Sequence, residues 1–440
     1  IRTAHKWSEV RRALLEWQHA EGAWQVAYAQ HQQANRRLVE AQQKHGVILA
    51  DDAFFSAEHG KRHQATPWFS PPTQLLRDEV FISAMAMHRA FIDASAKPLR
   101  HNLGALMNVF TTQTLRGPEK HALLPDLWAS LFLVVPLIST TFASVNRMLG
   151  KLPPEGLGWL FVDEAGQALP QAAVGALLRT RRAVIVGDPV QIEPVVILPD
   201  TLTHAICRRF GVDPKYYAAP LASTQTLADS ASSYISEFQT NVGSRSVGVP
   251  LLVHRRCSEP MFSISNAIAY SGLMVSAKLP KPSTIRDVLG PSTWIHVEGT
   301  GEGKWCQEEG DEALRMLRQL KQMDVKPDLY VITPFVIVAD RLRQTIRESD
   351  VLRGWVEDEW HWINERIGTI HTAQGREAEA VILVLGAPHP TQTGARGWAG
   401  GRPNLLNVAV TRAKEAIYVV GNRRLWGEAG LFRELDRRLP

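Results

Sequence analysis

The chain has 440 residues, 45% of them hydrophobic and 21% charged, with a net charge of +5. That composition excludes global disorder and leaves room for two to four folded domains. The mild basic excess is compatible with nucleic acid but does not establish it, because a binding groove is made by clustered charge rather than by an average.

Residues 1–45 read as one long amphipathic helix, with Trp7, Val10, Leu14, Trp17, Trp24, Tyr28 and Leu38 falling mostly at steps of three and four or their multiples. Glu21, His31 and Asn35 interrupt that seam, which suits either a stalk that meets a partner protein or a helix in an ordinary bundle. "TPWFSPP" (66–72) reads as a loop, and a second helix is expected from about Leu75 to Ala96. After about residue 125 short apolar strands alternate with helical stretches: "LFLVVPLISTT", "GWLFVDEAG", "RRAVIVGDP", "DLYVITPF", "RIGTIHTAQG", "EAVILVLG" and "EAIYVVGN". Continuous Val/Ile/Leu runs are the mark of strands buried on both faces, as in a parallel sheet covered by helices. The fold class expected is therefore α/β, with a helical segment over 1–110, a first α/β domain over 111–235 and a second over 236–440. The boundary is set by the Ser, Gly and Pro that accumulate at 223–250.

Three widely spaced cysteines, Cys207, Cys257 and Cys306, form no C-x-x-C pair. They argue against a disulfide framework or zinc site and for a reducing, cytoplasmic setting. The apolar run at 131–138 is too short to span a bilayer, so no membrane association is expected. No signal peptide opens the chain, and its first residue is not Met, so "IRTAHKW" reads as an internal cut in a longer protein.

The chemistry gathers at strand ends, where open α/β sheets bind ligands. Asp163 and Glu164 follow the strand "GWLFV" directly. Two buried acids side by side repel each other and lose hydration. A divalent cation and a phosphate chain remove the conflict: one carboxylate holds hydrated Mg²⁺ while the next orients a water. The following strand ends in Gly187 and Asp188, with the amide of Gln191 beside the first pair.

"DEAGQA" (163–168) followed by "GDPVQIEPV" (187–195) resembles motifs II and III of the superfamily 1 helicases, on the branch of the nonsense-mediated-decay and Okazaki-fragment-processing helicases. Further blocks follow in the family's order. "LISTTFASV" (137–145) resembles the motif before motif II, and "LLVHRRCSEPMFSISNAIAYSGLMV" (251–275) resembles motif IV. "VITPF" (331–335), "IGTIHTAQGREAEAVILV" (367–384) and "NLLNVAVTRAKEAIYVVGN" (404–422) resemble motifs IVa, V and VI. The likeness covers about 137–422 and implies two RecA-like domains, the first incomplete, with an N-terminal helical insertion and ATP bound between the domains.

By that resemblance Asp163 is the Mg²⁺ ligand, Glu164 the base that activates water, and Gln191 the γ-phosphate sensor, with Gly187 and Asp188 at the nucleotide. Arg256 and Arg412 are the arginines that reach the phosphates from the second domain; Arg255, next to the first, is the alternative. Gly375 and Glu377 lie near the γ-phosphate and ribose, and Thr140, Thr141, Thr333, Pro334, Thr369 and Thr372 near the nucleic-acid backbone. The partner implied is single-stranded nucleic acid, DNA before RNA, tracked 5′ to 3′. His254 and Arg255 replace the Gln-Tyr usual in motif IV, and Gly166 stands where Thr or Ser is common.

A nucleotide site of this class also needs a G-x-x-x-x-G-K-[ST] phosphate cradle. Gly-Lys occurs at 60–61, 150–151 and 303–304, followed by Arg62, Leu152 and Trp305, and none of these is such a loop. The cradle is therefore expected upstream, and this piece alone is expected to hydrolyse ATP weakly or not at all. The rival readings are a helicase fold that binds nucleic acid without catalysis and an interaction protein that docks a partner through the helices of 1–110.

Overall fold

The computed structural model describes residues 2–440 apart from 69, 113–116, 118–120, 189, 241–242, 280 and 374. Its contacts divide the chain into two compact units, one ending at Lys97 and the other starting at Pro98.

The first unit carries two long helices, α1 (Arg2–His45) and α2 (Pro71–Ala94). The second begins earlier than its apolar pattern suggests because Pro71 opens it; proline's fixed φ suits a first turn. The seam residues Trp7, Val10, Leu14, Trp17, Trp24, Tyr28 and Leu38 of α1 are exposed. Trp24 and Tyr28, one turn apart, stack at 5.2 Å.

The second unit starts in the first turn of α3 (Ala96–Thr112), followed by α4 (Leu124–Val134) and α5 (Phe142–Leu149). Leu106, Leu124, Trp128 and Leu152 form a small core, with Phe110 edge-on to Trp128 at 5.5 Å. The stretch at 131–141, expected as a strand, is the end of a helix and an extended tail. The phase is set upstream, where Leu124 and Trp128 are buried one turn apart, and the helix stops because Val135 precedes Pro136 and is driven to extended angles.

Strands β1 (Leu157–Val162) and β2 (Thr180–Ile185) pair in parallel around α6 (Pro170–Leu178). They form a two-stranded sheet, not a sheet covered on both faces: Trp159 and Phe161 are 56% and 62% exposed. Helix α7 (Thr224–Ala231), capped by Ser223, and the antiparallel pair β3 (Ser236–Thr240) and β4 (Gly243–Val247) occupy the segment where the domain boundary was placed.

The expectation of doubly buried strands holds for the central strands of the second lobe. After α8 (Met261–Ala269) come β5 (Thr293–His296), α9 (Gln307–Gln322), β6 (Leu329–Thr333), α10 (Val336–Glu348), β7 (Ile367–Thr369), β8 (Ala378–Val384), α11 (Pro403–Thr411) and β9 (Ala413–Gly421). The five strands pair in parallel in the order β7-β6-β8-β9-β5. Central positions such as Val331, Val381, Leu383, Ile417 and Val419 are fully buried, because helices cover both faces. The architecture is thus two parallel α/β lobes in one unit, the first small and the second a complete five-stranded sheet.

Several ionisable side chains are buried in this second lobe, and Glu309 is the one whose acidity burial changes most plainly. Glu309, in the first turn of α9, is 1% exposed and accepts the Gly386 N–H at 2.7 Å, while its other oxygen has no partner among the described residues. Burial pushes its carboxyl up to about 8. A folded value above the unfolded one means that folding favours the protonated form. Glu309 therefore costs nothing at acid pH and costs progressively more stability as pH rises from about 4.5 towards 8. Glu309→Gln is expected to flatten that slope and to gain roughly 2–4 kcal/mol over the wild type at pH 8 relative to pH 5, read from urea unfolding midpoints at the two pH values. Equal pH dependence in the two proteins would show that Glu309 is ionised in the fold.

Candidate functional site

Parallel pairing of β1 with β2, in register from Leu157 opposite Thr180 to Val162 opposite Ile185, delivers the chain twice to the same edge. At the end of β1 stand Asp163 and Glu164. Glu164 adopts φ +52°, a left-handed conformation that few non-glycine residues accept. The turn is locked by the Glu164 N–H donating to Asp163 Oδ1 at 2.9 Å, by Gln167 Nε2 donating to Glu164 Oε2 at 3.0 Å, and by the Ala165 N–H donating to Val186 O. At the end of β2, a Cβ on Gly187 would lie 2.6 Å from Gly166 N and 2.7 Å from Ala165 N. Only glycine lets the two loops pass so closely, and the contact brings Asp163, Glu164, Asp188 and Gln191 onto one wall.

The facing wall is basic. After the short strand Val253–His254 come Arg255 and Arg256, both exposed. Arg256 Nε lies 3.0 Å from Glu377 Oε2, and Lys414 Nζ lies 2.7 Å from Glu377 Oε1. The Lys414 hydrogen bond is the main cause that holds the Glu377 carboxyl below its usual range, helped by the charges of Arg256 and Arg412. Below them Lys278 and Glu415 form a buried pair at 2.7 Å. Between the walls lies a cleft of about 1550 Å³ lined by Asp163, Glu164, Gly187, Asp188 and Gln191 on one side and by Arg255, Arg256, Glu377 and Lys414 on the other.

Arg412, at the C-terminus of α11, is placed differently from Arg256. It is 2% exposed and outside the cleft lining. Its Nη1 donates to Arg376 O at 2.8 Å and its Nε to Val408 O at 3.3 Å. Burial first, then the Arg256 charge, lower its pKa, while Glu164 and Glu377 oppose them, so it sits within the field of the acids. Gly375, at φ +73°, shapes the turn that supplies the Arg376 carbonyl. Thr140 and Thr141 are exposed just before α5. Thr333 and Thr369 pair at the ends of β6 and β7 and are buried, as is Pro334. Thr372 is exposed, with its hydroxyl donated to Thr369 O at 2.8 Å.

Four residues were not singled out by sequence reasoning. Lys414 completes the basic wall; it stands at the start of β9, two residues past Arg412. The other three bind the 188–193 loop. Tyr270, just after α8, donates its hydroxyl to Asp188 Oδ2, and burial together with that carboxylate keeps the phenol protonated. Asn407 Nδ2 donates to Val190 O at 3.3 Å and to Tyr270 Oη at 3.0 Å, while Asn404 Nδ2 donates to Gln191 O. Asn404 and Asn407 are three apart on α11, one face of one helix, which a reading limited to charged and hydroxyl residues passes over.

The donor set suits a phosphate ligand with Mg²⁺. Among the described residues no three His, Cys, Asp or Glu side chains converge as a metal nest. Mg²⁺ needs none, since it keeps several waters and binds through one or two carboxylates plus phosphate oxygens. Gln191 Oε1 is buried without a hydrogen-bond partner, an acceptor that an oriented water or ligand hydroxyl would satisfy.

Two family models, each described as an AAA domain, match residues 129–199 and 235–424, which include both walls of the cleft. Among curated proteins the chain is 23% identical over 296 residues to an uncharacterized ATP-dependent helicase of Methanocaldococcus jannaschii, covering 63% of this chain and 38% of that protein. It is 23% identical over 295 residues to the DNA replication ATP-dependent helicase/nuclease DNA2 of Gallus gallus, covering 65% and 25%. It is 22% identical over 285 residues to a homologue of regulator of nonsense transcripts 1 in Drosophila melanogaster, covering 63% and 22%. The chain thus spans well under half the length of these relatives. On the matched domains, these relatives and the α/β lobes that carry the motifs in order, the chain belongs to the superfamily 1 helicases, on the branch that includes the nonsense-transcript regulators and DNA2.

Proposed function

We propose that the parent protein is an ATP-dependent translocase or helicase that moves 5′ to 3′ on single-stranded DNA, and that this chain supplies most of its nucleotide cleft. The observation that carries the reading is the opposition of the two walls: paired acids and Gln191 on the first lobe, Arg255, Arg256 and Lys414 on the second, across one cleft.

In this reading Asp163 is the side chain that holds Mg²⁺, which, when bound, neutralises phosphate charge. Glu164 accepts the proton of the attacking water. Its Gln167 hydrogen bond fixes the carboxylate in place before substrate arrives. Gln191, with its amide donor tied to Asp188 at 3.1 Å, turns its acceptor oxygen to that water. Arg256 exchanges Glu377 for phosphate oxygens as the lobes close, and Lys414 then keeps Glu377 charged and in position. Arg412 adds positive potential from behind the wall and reaches the phosphates if closure frees it from Arg376 O and Val408 O. Thr140, Thr141 and Thr372 are the exposed hydroxyls suited to backbone phosphate contacts, which carry no sequence information.

In the full-length protein Glu164→Gln is expected to lower ATP turnover by at least about 100-fold while nucleotide binding persists; normal turnover by that variant would remove Glu164 from the role of base. Arg256→Ala and Arg412→Ala are each expected to cost about 10³-fold in kcat. The 440-residue chain alone, which holds no G-x-x-x-x-G-K-[ST] loop, is expected to turn over ATP at background level with or without single-stranded DNA. Robust stimulated turnover by it would place the phosphate grip within these residues. Single-stranded DNA binding is expected to weaken steeply with salt, with log K falling by roughly 3 per tenfold rise in salt if about four phosphates are contacted; an affinity independent of salt would contradict a backbone-tracking site.

A further inference from the structure

The loop that carries Gln191 belongs to the first lobe by sequence and to the second by its contacts. Asp188 holds it from within, accepting the Val190 N–H at 2.9 Å and Gln191 Nε2 at 3.1 Å. The second lobe holds it from outside through the Tyr270 hydroxyl on Asp188 Oδ2, Asn407 on Val190 O and Asn404 on Gln191 O. Asn407 is itself fixed, since its Oδ1 accepts the Ser265 hydroxyl at 2.7 Å inside the core. Ile192 is buried in the same apolar cluster as the second-lobe sheet, with Val190 packed against it. At the rim, Arg402 pairs with Glu193 at 2.9 Å.

Helix α11 therefore has two jobs at its two ends. Its N-terminal turns grip the Gln191 loop through Asn404 and Asn407, and its C-terminus carries Arg412. A nine-residue helix is stiff on the scale of hydrogen-bond lengths, so a shift at one end is felt at the other.

We propose that Tyr270, Asn404 and Asn407 are positioning residues that set the orientation of Gln191 and tie it to Arg412 through α11, so that the water-orienting amide of the first lobe is presented only when the second lobe is docked on the 188–193 loop. The inference rests on the reading above that Gln191 and Arg412 serve phosphate chemistry. Tyr270 touches no reacting atom. Its hydroxyl and Gln191 Nε2 donate to the same Asp188 oxygen, so the geometry of one bond constrains the other.

The test compares Tyr270→Phe, Gln191→Ala and the double variant in the full-length protein. The readouts are kcat and KM for ATP with single-stranded DNA present, and amide hydrogen exchange over 187–193. Tyr270→Phe keeps the ring and its packing, so the fold is retained. It is expected to lower kcat about tenfold with KM within twofold, to speed exchange across 187–193 while β8 is unchanged, and to add nothing further on a Gln191→Ala background. A full tenfold loss on that background, or unaltered exchange in the loop, overturns the proposal. If the wild type shows no turnover that depends on Glu164, the phosphate reading fails instead, and the exchange measurement alone then decides whether Tyr270 holds the loop.

Discussion

A strand covered on both faces can carry an ionisable side chain only where a partner meets it, as Ser283 meets Glu379 and Lys278 meets Glu415. In the second lobe β6, β8 and β9 run through the core, and their ionisable neighbours are driven to the strand ends or into hydrogen-bonded pairs. Because the five strands are parallel, those ends lie on one edge of the sheet. Glu377 precedes β8, Lys414 lies at the start of β9, and Arg412 lies just before it. The salt-bridged basic wall is a consequence of sheet polarity.

The first lobe meets the same constraint with fewer strands. Asp163 and Glu164 follow β1, and the close pass of Gly187 against Ala165 and Gly166 forces the second loop alongside them. Acids at one edge and bases at the other give a cleft whose two sides attract each other across solvent. A ligand with dense negative charge and an attendant cation fits between them better than water does. The part-buried Tyr270–Asp188–Asn407 cluster ties the two edges together.

Much of this was legible in the residues. The second-lobe strands announce themselves as unbroken runs of Val, Ile and Leu, and "DEAG", "GDPVQ" and "TRAK" stand where strand ends put polar groups. The run at 131–138 misled because an apolar stretch of that length has no period of its own; its helical phase came from Leu124 and Trp128, and its end from Pro136. Apolar runs also misled about covering, since "GWLFV" has the same texture as "EAVILV" but leaves Trp159 and Phe161 open. Arg412 was read from the motif as an arginine that reaches the phosphates, and its burial against the Arg376 and Val408 carbonyls was not legible. Tyr270 and Asn407 were invisible for a different reason: a neutral donor acquires meaning only when the fold shows which carboxylate or carbonyl it meets.

The bare side of the β1–β2 pair has a practical consequence. Trp159 and Phe161 lie parallel at 6.2 Å, with the Arg182 guanidinium over the Trp159 ring at 5.3 Å, so a lone cation shields a flat aromatic surface. Among the described residues the two strands hydrogen-bond only to each other, which leaves both outer edges able to template further strands. Exposed rings beside open strand edges are a site for self-association, so turbidity on concentration would report on this patch rather than on poor folding elsewhere. Swapping either ring for lysine is the simplest route to a tractable sample, because neither contributes to the interior it turns away from.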